Sequence, residues 1–571
     1  MDKKAEDIKA YYIAAGFIFL FAGPLVIYKP AYDYIIIKNL AGFLFAVILS
    51  AAFILQRKAF NFNRRTFTFF LLFAAWILIS ALKAPFGHGA AKQLEDYLLY
   101  FLVFVCALNV KIDKKWIYFW LCAGFIASVI AIAQFFGSLR YPISTFGNPN
   151  FFAGHVMMAV VIAFASLFSG KITARERVFL GAFLLVSLAA IAVVRSRAAI
   201  FAVLFGISTV LFLVNAGEKF MKKWAGYLLL VVVAAVMFPQ IYSWFATNIR
   251  VYLWRGTFEM IKERPFAGWG LGNFVFFYPY FRIKEYFLQS ESTPITTHAH
   301  SEFLHLWSET GVLGLLLFIL FAFMLIFSLK RLTRKGGMED LFYFGVIGGI
   351  LAVLLDNLFS TNLRNPSTAM YFWFLLGISA GRLKQEEINF YVSRILWYTI
   401  LAVSLVMCVF TSFYRILPEV YLKRGIWARE RNNAREAVDN YLVVSSINPH
   451  NYVSRYKLAY VYGESGRNKE AKRVYLEIQE SIFPHFAKID ANLGTVYLRE
   501  GMQREALHSY RWAEWFNPYD VDVLCSMASI YLVFYDDVAR GMEYLRKVLT
   551  IDPENGYANK VIGMLKEEGR I

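Results

Sequence analysis

The chain has 571 residues, of which 58% are hydrophobic and 18% aromatic, while only 18% carry a charge. Soluble domains average roughly 25% charged residues, so this composition excludes one water-soluble globule and indicates an integral membrane protein. The formal charge of +18 does not indicate a nucleic-acid partner, because the basic residues gather in short loops between apolar runs, where they set orientation.

The N-terminal MDKKAEDIKA lacks a cleavable-signal pattern, so the first apolar run is expected to stay as an anchor. Apolar runs of membrane length fall near 11–28, 35–55, 66–82, 94–110, 116–136, 151–168, 177–194, 198–214, 224–243, 302–329, 341–360, 367–381 and 395–413, about thirteen spans in all. The fourth of these opens on Glu95 and Asp96. Loop charge alternates: one set carries groups such as Arg57, Lys58, Arg64 and Arg65, or Lys330, Arg331, Arg334 and Lys335. The opposite short loops carry one or two each: Lys29 and Lys38, Lys83 and Lys92, Arg140, Arg195 and Arg197, and Arg364. That bias predicts a cytoplasmic N-terminus, with the long loop 244–301 and the C-terminal region outside. Cys106, Cys122, Cys408 and Cys525 show no metal-site or disulfide spacing.

Four stretches are predicted to meet on the outer side. The first, Tyr141 to Asn150, is turn-rich and leads into a membrane helix. The second, Arg195-Ser196-Arg197-Ala198, is a tight connection between two apolar runs. The third lies in the long loop, where Val251, Trp254, Phe258 and Ile261 share one face of an amphipathic helix expected to lie on the outer leaflet. Pro265 ends that helix, and Gly268, Gly270 and Gly272 form the turn beyond it. GWGLG is no nucleotide fingerprint, since no strand precedes it and no Walker lysine follows. The fourth, THAHSEFLHLWSETGVLG, places His298 and His300 ahead of a helix carrying Glu302, His305 and Glu309 into an apolar run.

Two arginines at a membrane edge with no carboxylate nearby in sequence match phosphate oxygens through their planar donor forks. The alternative is that Arg195 and Arg197 snorkel to lipid headgroups. His300 is either a general base or a loop histidine before a helix capped by Ser301. Glu302 and Glu309 either orient neighbours or are structural, and Asp356 is a polar candidate with no assigned partner.

From about residue 414 the composition becomes that of a soluble helical domain. Pro449, Pro484, Pro518 and Pro553 recur at intervals of 35, 34 and 35 residues, with small and aromatic positions such as Gly494, Tyr497, Gly501, Ala506 and Tyr510 returning ahead of them. This resembles the tetratricopeptide repeat, an array that binds partners and carries no chemistry of its own.

The ordered series TFGNPNFFAG, RSRAA, RxxxWR with PFAGWGLGNF, and HAHSEFLHLWSETGVLG resembles the O-antigen ligase/polymerase superfamily over about 140–382. The resemblance implies an all-α fold: a polytopic helix bundle of the glycosyltransferase C type over 1–413, followed by a periplasmic repeat solenoid over 414–571. It implies residence in a bacterial inner membrane and a role in lipopolysaccharide or other cell-envelope glycan synthesis. The donor would be a glycan on undecaprenyl diphosphate. The acceptor would be a lipid, a protein or a growing glycan, and transfer would invert the anomeric centre with neither metal nor cofactor.

By the same resemblance Arg197 and Arg250 hold the diphosphate and His300 activates the acceptor hydroxyl. Arg195 and His298 are second-line, and Glu302, Asn148 and Asn150 are secondary candidates. Ser301 stands where asparagine is common, and external repeats depart from the simplest ligases and favour a protein acceptor or partner. Within residues 1–413 no DxD carboxylate pair is present, which argues against a metal-dependent sugar-nucleotide transferase. A glycan polymerase shares this chemistry. A transporter or assembly scaffold predicts charges at mid-span, where this chain has almost none.

Overall fold

The computed structural model of the protein describes residues 3–169, 172–215, 231, 248–289, 296–332, 338–383, 385–485 and 488–571. The chain divides into two compact units. The first comprises Met1–Ala246, Arg264–Gly272 and His298–Leu417, and the second Thr247–Glu263, Asn273–Thr297 and Pro418–Ile571.

In the first unit the helices are α1 (Lys3–Gly16), α2 (Lys38–Leu55), α3 (Arg64–Leu82), α4 (Gly87–Leu108), α5 (Lys114–Phe136), α6 (Pro149–Ser166), α7 (Ala174–Val193) and α8 (Arg197–Val214). In the second unit α9 (Ile249–Glu263) and α10 (Phe274–Phe281) follow; the chain then returns to the first for α11 (Glu302–Leu332), α12 (Met338–Asp356), α13 (Pro366–Arg382) and α14 (Phe390–Phe410). A two-residue antiparallel pair, Asn61↔Glu387 and Phe62↔Glu386, joins two of the connections.

Among the described residues, nine helical segments are long and apolar enough to cross a membrane: Ala5–Leu25, Lys38–Leu55, Arg64–Leu82, Lys114–Phe136, Pro149–Ser166, Ala174–Val193, Arg197–Val214, Glu302–Leu329 and Phe390–Glu430. Each overlaps a span expected from the sequence. Of the other four, 224–243 lies outside the described residues. The run at 94–110 belongs to α4, whose Glu95 and Asp96 are buried. Those at 341–360 and 367–381 form α12 and α13, whose apolar lengths are shorter. Every residue of α13 from Ser367 to Ala380 is buried, so this helix is the axis around which the bundle packs. Helices such as α3, α7 and α11 expose Leu71, Leu72, Leu185, Leu316 and Phe323, apolar side chains suited to a lipid surround.

The second unit is an array of antiparallel helix pairs: α15 (Leu417–Glu430) with α16 (Ala434–Ile447), α17 (Tyr452–Glu464) with α18 (Asn468–Ser481), α19 (Ile489–Arg499) with α20 (Gln503–Phe516), and α21 (Val521–Val533) with α22 (Val538–Ile551). A last helix, α23 (Gly556–Glu567), closes the series. Each recurrent proline stands just past the second helix of its pair, where it blocks continuation. Small residues at Gly425 and Gly494 receive the rings of Tyr441 and Tyr510; an added Cβ at Gly494 would lie 2.8 Å from Tyr510. Steric fit at this repeated position sets the spacing within these two pairs.

Two segments of the long loop pack within this second unit. Phe276 meets Phe483 with ring centroids 4.9 Å apart, and Tyr280 meets Phe516 at 5.4 Å. The buried face of α9 is Leu253, Gly256, Thr257, Met260 and Ile261, while Phe258 is 44% exposed. A face other than the apolar one expected to lie on the outer leaflet therefore packs within the protein, with Ile261 common to both. Gly256 is the reason: it admits Tyr278 and the Phe281 carbonyl of α10, which only a residue without a Cβ allows.

Candidate functional site

The helix that follows the histidines is broken. Within α11, Gly311 has φ 71° and ψ 178°, so the preceding carbonyls lose their intrahelical donors. They are satisfied from the GWGLG stretch: Trp269 N–H donates to the Ser308 carbonyl at 2.9 Å, and Gly270 N–H to that of Glu309 at 2.8 Å. Val312 N–H returns a bond to the Pro265 carbonyl at 2.9 Å, and Trp76 Nε1 donates to the Thr310 carbonyl at 2.8 Å. Gly268 and Gly311 face each other across this seam, and a Cβ on either would overlap the opposing backbone. The glycines thus serve backbone-to-backbone packing, which together with Trp76 supplies partners that a broken helix needs in an apolar surround.

Before the break, Glu302, His305 and Glu309 share one helix face, at spacings of three and four residues. Arg364, in the short turn Asn362–Arg364 between α12 and α13, lies against that face. Its Nε donates to both oxygens of Glu302, at 3.0 and 3.2 Å, and its Nη1 to Glu309 Oε2 at 2.8 Å. All three side chains are buried. Burial would lower the arginine pKa, but the two carboxylates outweigh it and raise it, so the guanidinium is a permanent charge.

His305 Nε2 lies 3.2 Å from Glu309 Oε1, and its Nδ1 accepts the Ala299 N–H at 3.1 Å. That acceptance leaves the proton on Nε2, pointing at the carboxylate. The His298 ring stands 5.4 Å from that of His305, and burial, with His305 and Arg364 nearby, holds its imidazole pKa well below the ordinary value. His300 is exposed and has φ 49°, a left-handed conformation uncommon outside glycine.

The same end of the bundle carries the arginine connection. Ser196 Oγ donates to Asn150 Oδ1 at 3.0 Å, tying the α7–α8 turn to the start of α6. Asn148 caps α6 by accepting the Asn150 N–H at 2.8 Å. One turn on, Gly154 lets Asn362 approach so closely that an added Cβ would lie 2.6 Å from its amide nitrogen. Asn362 Nδ2 donates to Asp356 Oδ2 at 2.7 Å, as does Ser360 Oγ at 2.5 Å. The Glu302 N–H then bonds the carbonyls of Asn357 and Ser360 at 2.9 and 3.1 Å. A continuous chain of contacts therefore runs from the Arg195–Arg197 turn to the histidine segment.

Three of the four expected stretches thus come together in the first unit: Asn148 and Asn150, Arg195 and Arg197, and His298, His300 and Glu302. Arg195 and Arg197 are both exposed, and Arg195, like His300, has positive φ, at 58°. Arg250 belongs to the second unit, in the first turn of α9, where its N–H is bonded to Asn248 Oδ1 at 2.9 Å. Asp356, without an assigned partner in the sequence, is buried and paired with Ser360 and Asn362.

The residue that sequence reading missed is Arg364, which counted there only as a loop charge. The signal was present: two glutamates and a histidine on one face of an apolar helix require a buried cation. Among the described residues, no three His, Cys, Asp or Glu side chains gather where they could hold a metal ion.

Fold and site together define a polytopic helical membrane protein with a repeat array and a polar, charge-paired centre at one end of its bundle. Residues 182–319, which include the arginine turn, the long loop and the histidine segment, match the family model described as O-Antigen ligase, Wzy_C. That match, over part of the chain, supports a membrane glycan-processing enzyme of the ligase/polymerase type. Among solved structures, YrrB, described as a TPR protein with an unusual peptide-binding site, is similar at 18% identity and a TM-score of 0.24, covering 31% of this chain and 90% of that one. No curated protein matches the chain.

Proposed function

We propose that the protein transfers a glycan from undecaprenyl diphosphate to an acceptor hydroxyl on the periplasmic face of a bacterial inner membrane. The N-terminus would then be cytoplasmic and the repeat domain, 414–571, periplasmic. His300 takes the proton of the acceptor hydroxyl as its oxygen attacks the anomeric carbon. The carbon–oxygen bond to the diphosphate breaks on the opposite face, with inversion, and Arg197 and Arg250 offset the charge left on the diphosphate. Arg195 and His298 are second-line candidates for the same work, and no metal is required in this scheme.

The observation that carries the reading is the contact chain from the Arg195–Arg197 turn through Asn150, Asn362 and Arg364 to the segment holding His300. It supports Arg197 and an imidazole base in one neighbourhood, and the residues concerned fall within the matched segment 182–319 or pack against it. The repeats favour a protein acceptor or a protein partner, since arrays of this kind bind through extended surfaces.

The test is transfer by the purified chain in nanodiscs, given a defined lipid-diphosphate donor and lipid, protein or glycan acceptors. Arg197→Ala, Arg250→Ala and His300→Ala are each expected to lower transfer at least a hundredfold, about the loss seen on removing one transition-state donor, while remaining monodisperse. Full activity in the His300 variant would remove the base, and full activity in both arginine variants would remove the clamp.

A further inference from the structure

The proposed reaction needs His300 held in one orientation, yet His300 sits in a loop with a backbone conformation that L residues seldom adopt. Such conformations persist only where neighbours over-determine them. One neighbour that does so is His305. Its Nδ1 accepts the N–H of Ala299, immediately before His300, at 3.1 Å. Its own backbone N–H donates to the carbonyl of Ser301, immediately after His300, at 2.9 Å. One residue therefore brackets His300 from both sides. Ala299 and Ser301 are buried, so water offers neither bond a ready substitute.

His305 is fixed in turn. Its Nε2–H faces Glu309 Oε1 at 3.2 Å, and the other oxygen of Glu309 is held by Arg364 Nη1 at 2.8 Å. Arg364 also grips Glu302, whose N–H is anchored on the carbonyls of Asn357 and Ser360. The imidazole tautomer follows from this order: Glu309 takes the proton side, which leaves the lone pair of Nδ1 for Ala299.

Resting on the function proposed above, we propose that His305, oriented by Glu309 and Arg364, is the positioning residue that sets the attitude of His300 by bracketing its two flanking peptides. His305 touches no reacting atom in this scheme. Its effect lies in the placement of the base, where a displacement of about 1 Å can cost about a hundredfold in rate.

Two substitutions separate the two halves of its side chain. In His305→Asn the amide oxygen replaces Nδ1 and keeps the acceptor for Ala299. In His305→Gln the amide reaches Glu309 instead and abandons Ala299. The full chain in nanodiscs is followed by hydrogen exchange of residues 296–303, resolved to the Ala299 amide, and by kcat and donor KM. His305→Gln is expected to accelerate Ala299 exchange at least tenfold and to lower kcat about a hundredfold, with donor KM changed less than twofold. His305→Asn is expected to keep exchange within about threefold and kcat within about tenfold of the parent.

Unchanged exchange in His305→Gln overturns the proposal, as does accelerated exchange with parental kcat. If His305→Gln fails to fold, His305→Asn decides: a protected Ala299 amide with kcat lost a hundredfold refutes the bracket, and a protected amide with kcat retained supports it. Failure of the parent chain to transfer any glycan refutes the proposed function instead, and the exchange measurement alone then decides whether His305 holds the loop.

Discussion

Replacing Arg364 by methionine removes the guanidinium that pairs with both Glu302 and Glu309. The guanidinium makes three bonds, at 3.0, 3.2 and 2.8 Å, and the side chains of the trio are 2%, 5% and 2% exposed. Breaking a buried pair leaves an uncompensated carboxylate at about 3–5 kcal/mol, and methionine offers neither Glu302 nor Glu309 a donor. At about 2 °C per kcal/mol for a large unit, Tm falls by roughly 6–10 °C. Intrinsic fluorescence of the 13 tryptophans in nanodiscs, at one scan rate, reads this directly.

A triple variant, Arg364→Met with Glu302→Gln and Glu309→Gln, removes all three charges and with them the desolvation cost. It is expected to recover most of the lost Tm, because replacing a whole buried ion group is often near neutral while removing one partner is not. A Tm for Arg364→Met within 2 °C of the parent, or a triple variant no more stable than the single one, would refute the reasoning that this cluster is held by mutual charge.

Gly311→Ala is expected to yield little folded protein, since the new Cβ would overlap the Phe266 carbonyl at a positive φ; Gly87→Ala, with nothing within 4 Å, serves as the silent control in a detergent-extraction yield assay. Ser196→Ala and Asn150→Ala each delete one partner of a 3.0 Å bond, and a double-mutant cycle in thermal stability is expected to show coupling of about 1 kcal/mol. Strict additivity would mean that this bond does not join the two turns.

His298 supplies a pH test. Its imidazole pKa in the folded chain lies well below 6.5, so above that pH it is neutral in both states and contributes nothing. Below pH 6.5 the unfolded chain binds a proton that the folded chain refuses, and stability falls with acidification by about 1.4 kcal/mol per pH unit until the folded value is reached. His298→Gln is expected to flatten the Tm profile between pH 6.5 and pH 5; an unchanged slope would show that His298 accepts its proton in the folded state.

Much of the architecture was legible because it is written in one dimension. Span length depends on a run of apolar residues, and nine of the expected runs are helices of membrane length. The repeat period is marked by prolines that stand just beyond their helices. The candidate residues around His300 and Arg197 were found by motif order, and their stretches meet at one end of the bundle. The side of α9 that packs within the protein was not legible, because the close approach allowed by Gly256 turns a face other than the apolar one to α10.

Local sequence thus determined where the chain crosses an apolar layer, where it repeats and which titratable residues stand at the mouth of a helix. Tertiary structure decided which charges neutralise one another and which backbone breaks are repaired. Arg364 lies 62 residues from Glu302 and 55 from Glu309, and the carbonyls freed at Gly311 are satisfied by a glycine turn from an earlier segment. A helix propensity or a hydrophobic run is a property of neighbours in sequence. A buried charge and an orphaned carbonyl instead demand partners wherever folding brings them, and no local pattern names the residue that will answer.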